Sequence, residues 1–148
     1  MKALIQRVTH AELSVNGALV SSVKRGYLVF LGVQKGDTRE QAEYLAAKTA
    51  KLRIFEDENG KTNLSLKDVD GEVLLVSQFT LYANCKKGNR PSFIEAGDPA
   101  EAEALYEYMI AEAKKTVPVV QHGSFGADMK VSLINDGPFT VILDEHIL

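Results

Sequence analysis

The chain has 148 residues, 45% of them hydrophobic and 25% charged, a composition that suits one globular domain with a full core. Its 17 basic and 20 acidic side chains leave a net charge of −3, which argues against a general nucleic-acid coat while leaving room for a local basic patch. No stretch approaches the roughly 20 apolar residues that cross a bilayer, the opening MKALIQRVTHAEL is too short and polar for a secretory leader, and the lone Cys85 can form no intrachain disulfide.

These totals lead to the expectation of a cytoplasmic protein with no membrane segment, folded as a single domain over residues 1–148. The first third reads as a β-meander. Ala11, Leu13 and Val15 alternate with polar residues, as a half-buried strand requires. Asn16-Gly17 is a two-residue hairpin signal, because both residue types tolerate positive φ. Leu19 to Val23 resumes the β pattern, and GYLVFLGV (Gly26 to Val33) is a continuous apolar run suited to a strand covered on both faces. A helix is expected from Asp37, with Glu40 completing a capping box and Ala42, Leu45, Ala46, Thr49 and Leu52 on its buried face.

The segment EDENGKTNLSLKDVDG is polar and turn-rich, so it is expected as a long surface loop around Asn59-Gly60. EVLLVSQFTLY (Glu72 to Tyr82) reads as a strand, broken by NCKKGNRPSF. A second helix starts near Asp98, a good N-cap with Pro99 at the first helical position, and buries Ala102, Leu105, Tyr106, Met109 and Ala113. VPVV and Met129 to Leu143 add strands. The pattern indicates a compact α/β fold of the α+β type, with a largely antiparallel sheet and two main helices.

The usual chemical signatures are sparse. His10, His122 and His146 lie at no metal-ligand spacing from one another or from Cys85. GSFGADM lacks the lysine of a phosphate loop. Cys85 sits beside Lys86 and Lys87, which would lower a thiol pKa, but its place in a polar loop favours an incidental cysteine. SQFTL carries Ser77, Gln78 and Thr80 at the end of a β run. These residues either line a site as donors and acceptors or simply face water. Lys86, Lys87 and Arg90 either meet phosphates or form a solvated turn. Asn-Asp-Gly-Pro (Asn135 to Pro138) interrupts a strand-like run, either as a tight hairpin or as a backbone shape that a site needs.

SQFTLYA (Ser77 to Ala83), RPSF (Arg90 to Phe93), FGADM (Phe125 to Met129) and NDGPFT (Asn135 to Thr140) closely resemble the D-aminoacyl-tRNA deacylases, also called D-tyrosyl-tRNA deacylases. MKALIQRV and LRIFEDENGKTNLSL look like the same family, and the resemblance covers essentially the whole chain. It implies a homodimer of β-barrel-like subunits. It implies hydrolysis of the ester between a D-amino acid and the terminal adenosine of tRNA, with no metal and no other cofactor. By the same resemblance, Ser77, Gln78, Phe79 and Thr80 form the catalytic segment, and Phe125 and Met129 fall on the adenosine and substrate side. Gly137 and Pro138 match a Gly-cisPro motif that reaches into the partner's pocket, and Arg7 matches a residue that braces it. Cys85 departs from the common pattern of the family.

A chirality filter needs a rigid wall where the L side chain would point. Backbone held by proline meets that need, because a peptide is planar and proline locks φ. Such a wall works by exclusion, so glycine, with no side chain, should pass it. The reaction itself needs a positioned water and donors for the developing oxyanion. The N–H groups around Phe79 and Thr80 are candidates, with the ribose hydroxyl of the substrate assisting; Thr80 as nucleophile is the rival. Two other readings compete. One is a non-catalytic tRNA-binding module using Lys86, Lys87 and Arg90. The other is a small-molecule esterase with no RNA partner.

Overall fold

The computed structural model describes residues 1–144. In chain order its elements are β1 (Lys2–Val15), β2 (Ala18–Val23), β3 (Gly26–Gly32), α1 (Arg39–Lys51), β4 (Phe55–Glu56), β5 (Thr62–Leu64), β6 (Glu72–Ser77), α2 (Pro99–Lys114), β7 (Val120–His122) and β8 (Met129–Leu143). A 3-10 turn, Phe79–Tyr82, follows β6. The main sheet runs β2-β1-β3-β6-β7, with β8 also on β1. β1 is antiparallel to β2, β3 and β8, whereas β3–β6 and β6–β7 are parallel. The hydroxyl of Ser21 on β2 donates to the carbonyl of His122 on β7, so the two ends of this order meet and the sheet is nearly a barrel. The expected architecture, barrel-like with two helices, is the one found.

Several local expectations change. The first three strands are not a simple meander. β1 is long enough that its second half pairs with β2 and its first half with β3. The hairpin between β1 and β2 is where Asn16-Gly17 predicts it, with φ of 52° and 77°. Helix α1 takes Thr38, not Asp37, as its N-cap, and Gln41 Oε1 accepts from the Thr38 N–H at 2.6 Å. Asp37 is used elsewhere: Oδ1 lies 2.7 Å from the Met1 ammonium and Oδ2 accepts from the Gln34 N–H at 2.7 Å. The stretch expected as one long loop contains the β4–β5 hairpin. The strand near VPVV begins only at Val120, since Pro118 brings no N–H to a ladder.

The core has two parts, one on each face of the sheet. Tyr27, Val29 and Leu31 of β3 and Val73 and Leu75 of β6 face α1 and α2. The alternate residues Leu28, Leu74 and Val76 face inward with Val8, Ala11, Leu13 and Val23. Helix α1 contributes Ala42, Leu45 and Ala46 to the first cluster, and α2 contributes Ala102, Tyr106, Met109, Ile110 and Ala113. Fully burying a side chain such as Leu45 or Met109 stabilises by about 1.5–3 kcal/mol. β1 serves both clusters. Ala3 and Ile5 belong to the first and Ala11 and Leu13 to the second, and the switch of face falls where its register with β8 shifts.

Candidate active site

A cavity of about 700 Å³ opens at the carboxyl ends of the parallel strands β3 and β6. The ends of parallel strands are where chains leave the sheet and leave room for a ligand. Ser77, Gln78 and Phe79 form one wall, Phe125 to Met129 another, and Asp98, Pro99, Ala102 and Tyr106 of the α2 end a third. Two segments that the sequence marks, SQF and FGADM, therefore share one cavity. Lys35 and the α2 residues complete it. Nothing local in the sequence announces them, because only the packing of α2 against the sheet brings them there.

SQFTL does not continue as a strand to Tyr82. The ladder ends when the Gln78 N–H donates to Leu31 O at 2.8 Å. Gln78 then turns (φ −147°, ψ 83°), and the Leu81 N–H closes back on Gln78 O. Gly32 lies beneath this bend; a Cβ there would stand 3.1 Å from Leu81 and Tyr82. As in any helical first turn, the N–H groups of Phe79 and Thr80 open the segment and have no acceptor within it. The Phe79 ring is exposed and meets Phe93 edge-on at 5.0 Å. Thr80 is exposed and does not line the cavity; its hydroxyl receives the amide of Gln78.

Phe125 is half-buried with its ring 6.1 Å from Tyr106. Tyr106 fixes this wall by donating to Leu75 O at 2.7 Å, and burial pushes its phenol up to about 12. Met129 fits because residue 123 is glycine; a Cβ there would stand 2.5 Å from its sulfur.

Asn-Asp-Gly-Pro is not a hairpin. Both flanks pair with the same neighbour, Val8 with Asn135 and Gln6 with Thr140, so residues 136–139 bulge out opposite Arg7 within one strand. The Gly137–Pro138 peptide is cis. Gly137 has φ of 134°, and a Cβ there would lie 3.0 Å from Phe139 N and 3.1 Å from Arg7 Nη2, so only glycine fits. The Phe139 N–H donates to Asn135 Oδ1 and Asn135 Nδ2 to Thr140 Oγ1, both at 2.9 Å, a clamp the sequence reading did not single out. Arg7, only 6% exposed, lies across the base of the bulge. Its Nε donates to Asp136 O at 3.0 Å, its Nη1 to Ile54 O at 2.7 Å, and its guanidinium rests 4.8 Å from the Phe139 ring centre.

Gly137 and Pro138 are exposed and do not line the cavity of their own chain. Lys86, Lys87 and Arg90 lie in an exposed loop closed by an Asn84–Ser92 bridge, away from the lining, and Cys85 is exposed in the same loop. Among the described residues, no cluster of three or more His, Cys, Asp or Glu side chains could hold a metal ion, and no helix is long and apolar enough to cross a membrane. His146 lies outside the described residues.

Comparison with known proteins agrees with the motifs. The D-aminoacyl-tRNA deacylase of Lactobacillus gasseri is 55% identical over 144 residues, covering 97% of this chain and 99% of that one. The D-aminoacyl-tRNA deacylase of Geotalea uraniireducens is 57% identical, covering 97% and 93%. The solved structure of the c-Myc DNA Unwinding Element Binding Protein matches with a TM-score of 0.92 and 41% identity, covering 98% of this chain and 99% of that one. A structure described as a probable eukaryotic D-amino acid tRNA deacylase shares the fold, with a TM-score of 0.83 at 18% identity over 96% of this chain and 97% of that one. The sequence profile of the D-Tyr-tRNA(Tyr) deacylase family matches residues 4–144. With SQF and FGADM joined in one cavity and its relatives alike over nearly full length, the chain belongs to the D-Tyr-tRNA(Tyr) deacylase family.

Proposed function

We propose that this protein hydrolyses the ester between a D-amino acid and the 3′-terminal adenosine of tRNA, releasing both. The observation that carries the reading is the meeting of SQF and FGADM in one cavity of about 700 Å³. That volume suits a nucleoside bearing an amino acid. Water attacks the ester carbonyl and the bond to the ribose oxygen breaks, with a proton passing to that oxygen. The N–H groups of Phe79 and Thr80, which have no acceptor within their own turn, are the donors for the oxyanion that forms in between. Ser77 and Gln78 line the wall beside it. Phe125 and Met129 hold the nucleoside and substrate side.

Thr80 as nucleophile is the weaker alternative. Its hydroxyl lies off the lining, receives the Gln78 amide and has no neighbouring base in sequence. The vicinal ribose hydroxyl of the substrate supplies the assistance that a His–nucleophile pair would otherwise give. Thr80→Ala is expected to keep near-normal turnover; complete loss with intact tRNA binding favours the covalent route.

Rejection of L-amino acids is assigned to the bulge at Gly137 and Pro138, acting as a wall from a second subunit. Two features support this. Gly137 and Pro138 do not line the cavity of their own chain, and β8 pairs only with β1 among the described residues, so its other edge is open to a partner. Arg7 holds the bulge in shape. Lys86, Lys87 and Arg90 are expected to touch the tRNA backbone outside the cavity. No metal or other cofactor is required.

One assay tests the reading: release of amino acid from D-tyrosyl-, L-tyrosyl- and glycyl-tRNA beside D-tyrosine ethyl ester. Rapid clearance of D-tyrosyl- and glycyl-tRNA, with the L form spared, is expected. Binding without cleavage points to a tRNA-binding module, and equal action on the ethyl ester points to a simple esterase. Intact glycyl-tRNA beside cleaved D-tyrosyl-tRNA contradicts exclusion by the wall alone.

A further inference from the structure

This inference rests on the reading of the cavity as the seat of an aminoacyl-adenosine. In a tRNA that adenosine is joined to the preceding nucleotide by a phosphodiester. A filled cavity therefore brings one negative charge to its rim, and something there must meet it.

Three charged side chains line the cavity: Lys35, Asp98 and Asp128. Asp128 is held by Lys130 Nζ at 3.0 Å. Lys35 is the one cation among the described lining residues. It is exposed, and its ammonium has no ion-pair partner among the described residues.

The base of this side chain is fixed while its tip is free. The Lys35 N–H donates to Glu95 O at 3.1 Å, Gln34 forms a bridge with Ala96, and the Gly97 N–H donates to Val33 O at 2.8 Å. The turn from β3 toward α1 is thus tied at Val33, Gln34 and Lys35 to the segment before α2. A flexible stem on an anchored backbone suits a diffuse anion at a rim, since an ammonium is a point charge without a demanding geometry. Lys86, Lys87 and Arg90 are no part of this lining. Asp98, on the same rim, disfavours the phosphate on its own side.

We propose that Lys35 binds the phosphate that links the terminal adenosine to the rest of the tRNA, and so sets how the acceptor end enters the cavity. It acts on binding of the strand and takes no part in ester cleavage.

The test compares two substrates: D-tyrosyl-tRNA and 3′-O-D-tyrosyl-adenosine, which carries the same ester without the phosphate. For the wild-type protein, Lys35→Ala and Lys35→Arg, kcat and KM are measured on both at several salt concentrations. In Lys35→Ala the preference for tRNA over the adenosine ester is expected to fall about fivefold, the scale of one solvent-exposed ion pair. The change should lie in KM. The slope of log kcat/KM for tRNA against log salt should shrink by about 0.7, the share of one single-strand phosphate contact. Lys35→Arg should restore both.

An unchanged preference and slope in Lys35→Ala overturns the inference, as does an equal loss on both substrates, which marks a merely structural residue. If the wild-type protein cleaves neither ester, the functional reading falls and takes this inference with it. Cleavage of both by wild type with no effect at Lys35 sinks the inference alone.

Discussion

Replacing Arg7 by Met keeps length and bulk while removing the guanidinium. Two hydrogen bonds from a charged donor are lost, to Ile54 O at 2.7 Å and to Asp136 O at 3.0 Å. Each contributes roughly 1.5–3 kcal/mol. Asp136 has a half-open side chain and its carbonyl regains water, whereas Ile54 O is buried and does not. Removing a buried charge also relieves its desolvation, which offsets part of the loss. The ion pair with Asp136 Oδ2, at 3.6 Å and partly exposed, adds little. The net destabilisation should be about 2–3 kcal/mol, which in a domain of this length lowers Tm by roughly 6–12 °C. The functional effect should be more specific. With the bulge unbraced, the ratio of D- to L-tyrosyl-tRNA hydrolysis should fall about tenfold, equivalent to ~1.4 kcal/mol. Arg7→Lys should lie between, since one ammonium cannot span two carbonyls on separate segments. Thermal unfolding and the paired hydrolysis assay read the two effects. A Tm within 2 °C of wild type, about the size of a surface change, together with an unchanged D/L ratio, would refute the bracing role.

Two glycines should lose stability to very different extents on substitution by alanine. At Gly26 a Cβ would stand 1.8 Å from Glu72 O of the adjoining parallel strand, so Gly26→Ala should cost about 3 kcal/mol or more and sharply reduce folded protein. At Gly17 nothing lies within 4 Å and only the positive φ is strained, so Gly17→Ala should cost about 1 kcal/mol in urea denaturation. Tyr106 has its pKa raised by burial from 10 to about 12, so its contribution to stability is complete below pH 10 and is lost as pH rises from 10 through 12. Denaturation midpoints should decline across that window. Tyr106→Phe should flatten the decline while losing about 1 kcal/mol at neutral pH, the worth of one hydrogen bond. Cys85 is exposed and off the cavity, so Cys85→Ser should leave D-tyrosyl-tRNA hydrolysis unchanged, and a colorimetric thiol reagent should titrate the native thiol without unfolding.

Periodicity and turn chemistry made much of the fold legible. The faces of α1 and α2, the Asn16-Gly17 hairpin and the doubly covered β3 follow from local spacing of apolar and turn residues. Sheet order was not legible. That β3 pairs with β1 and runs parallel to β6 depends on contacts between distant segments, and no local pattern encodes them. The N-cap of α1 was misread because Asp37 has the right chemistry for a cap, whereas its carboxylate is taken by the distant Met1 ammonium and the Gln34 N–H. At the site, SQF and FGADM were visible as motifs, but the early end of β6 was not. Ser77 to Tyr82 reads as strand until Leu31 O takes the last ladder bond and the chain coils over Gly32. Lys35 carried no signal at all, since an exposed lysine in a turn looks the same with or without a cavity beside it.

β1 borders β2, β3 and β8, and Ala3 faces Leu143 across the ladder. A growing polypeptide can therefore assemble the helices and the centre of the sheet early, but the flank of β1 that takes β8 fills only as residues 129–143 are synthesised. Long-range pairing of this kind is slow to form. The contact of the Arg7 guanidinium with Asp136 O under the bulge must wait for that late pairing, whereas its bond to Ile54 O need not.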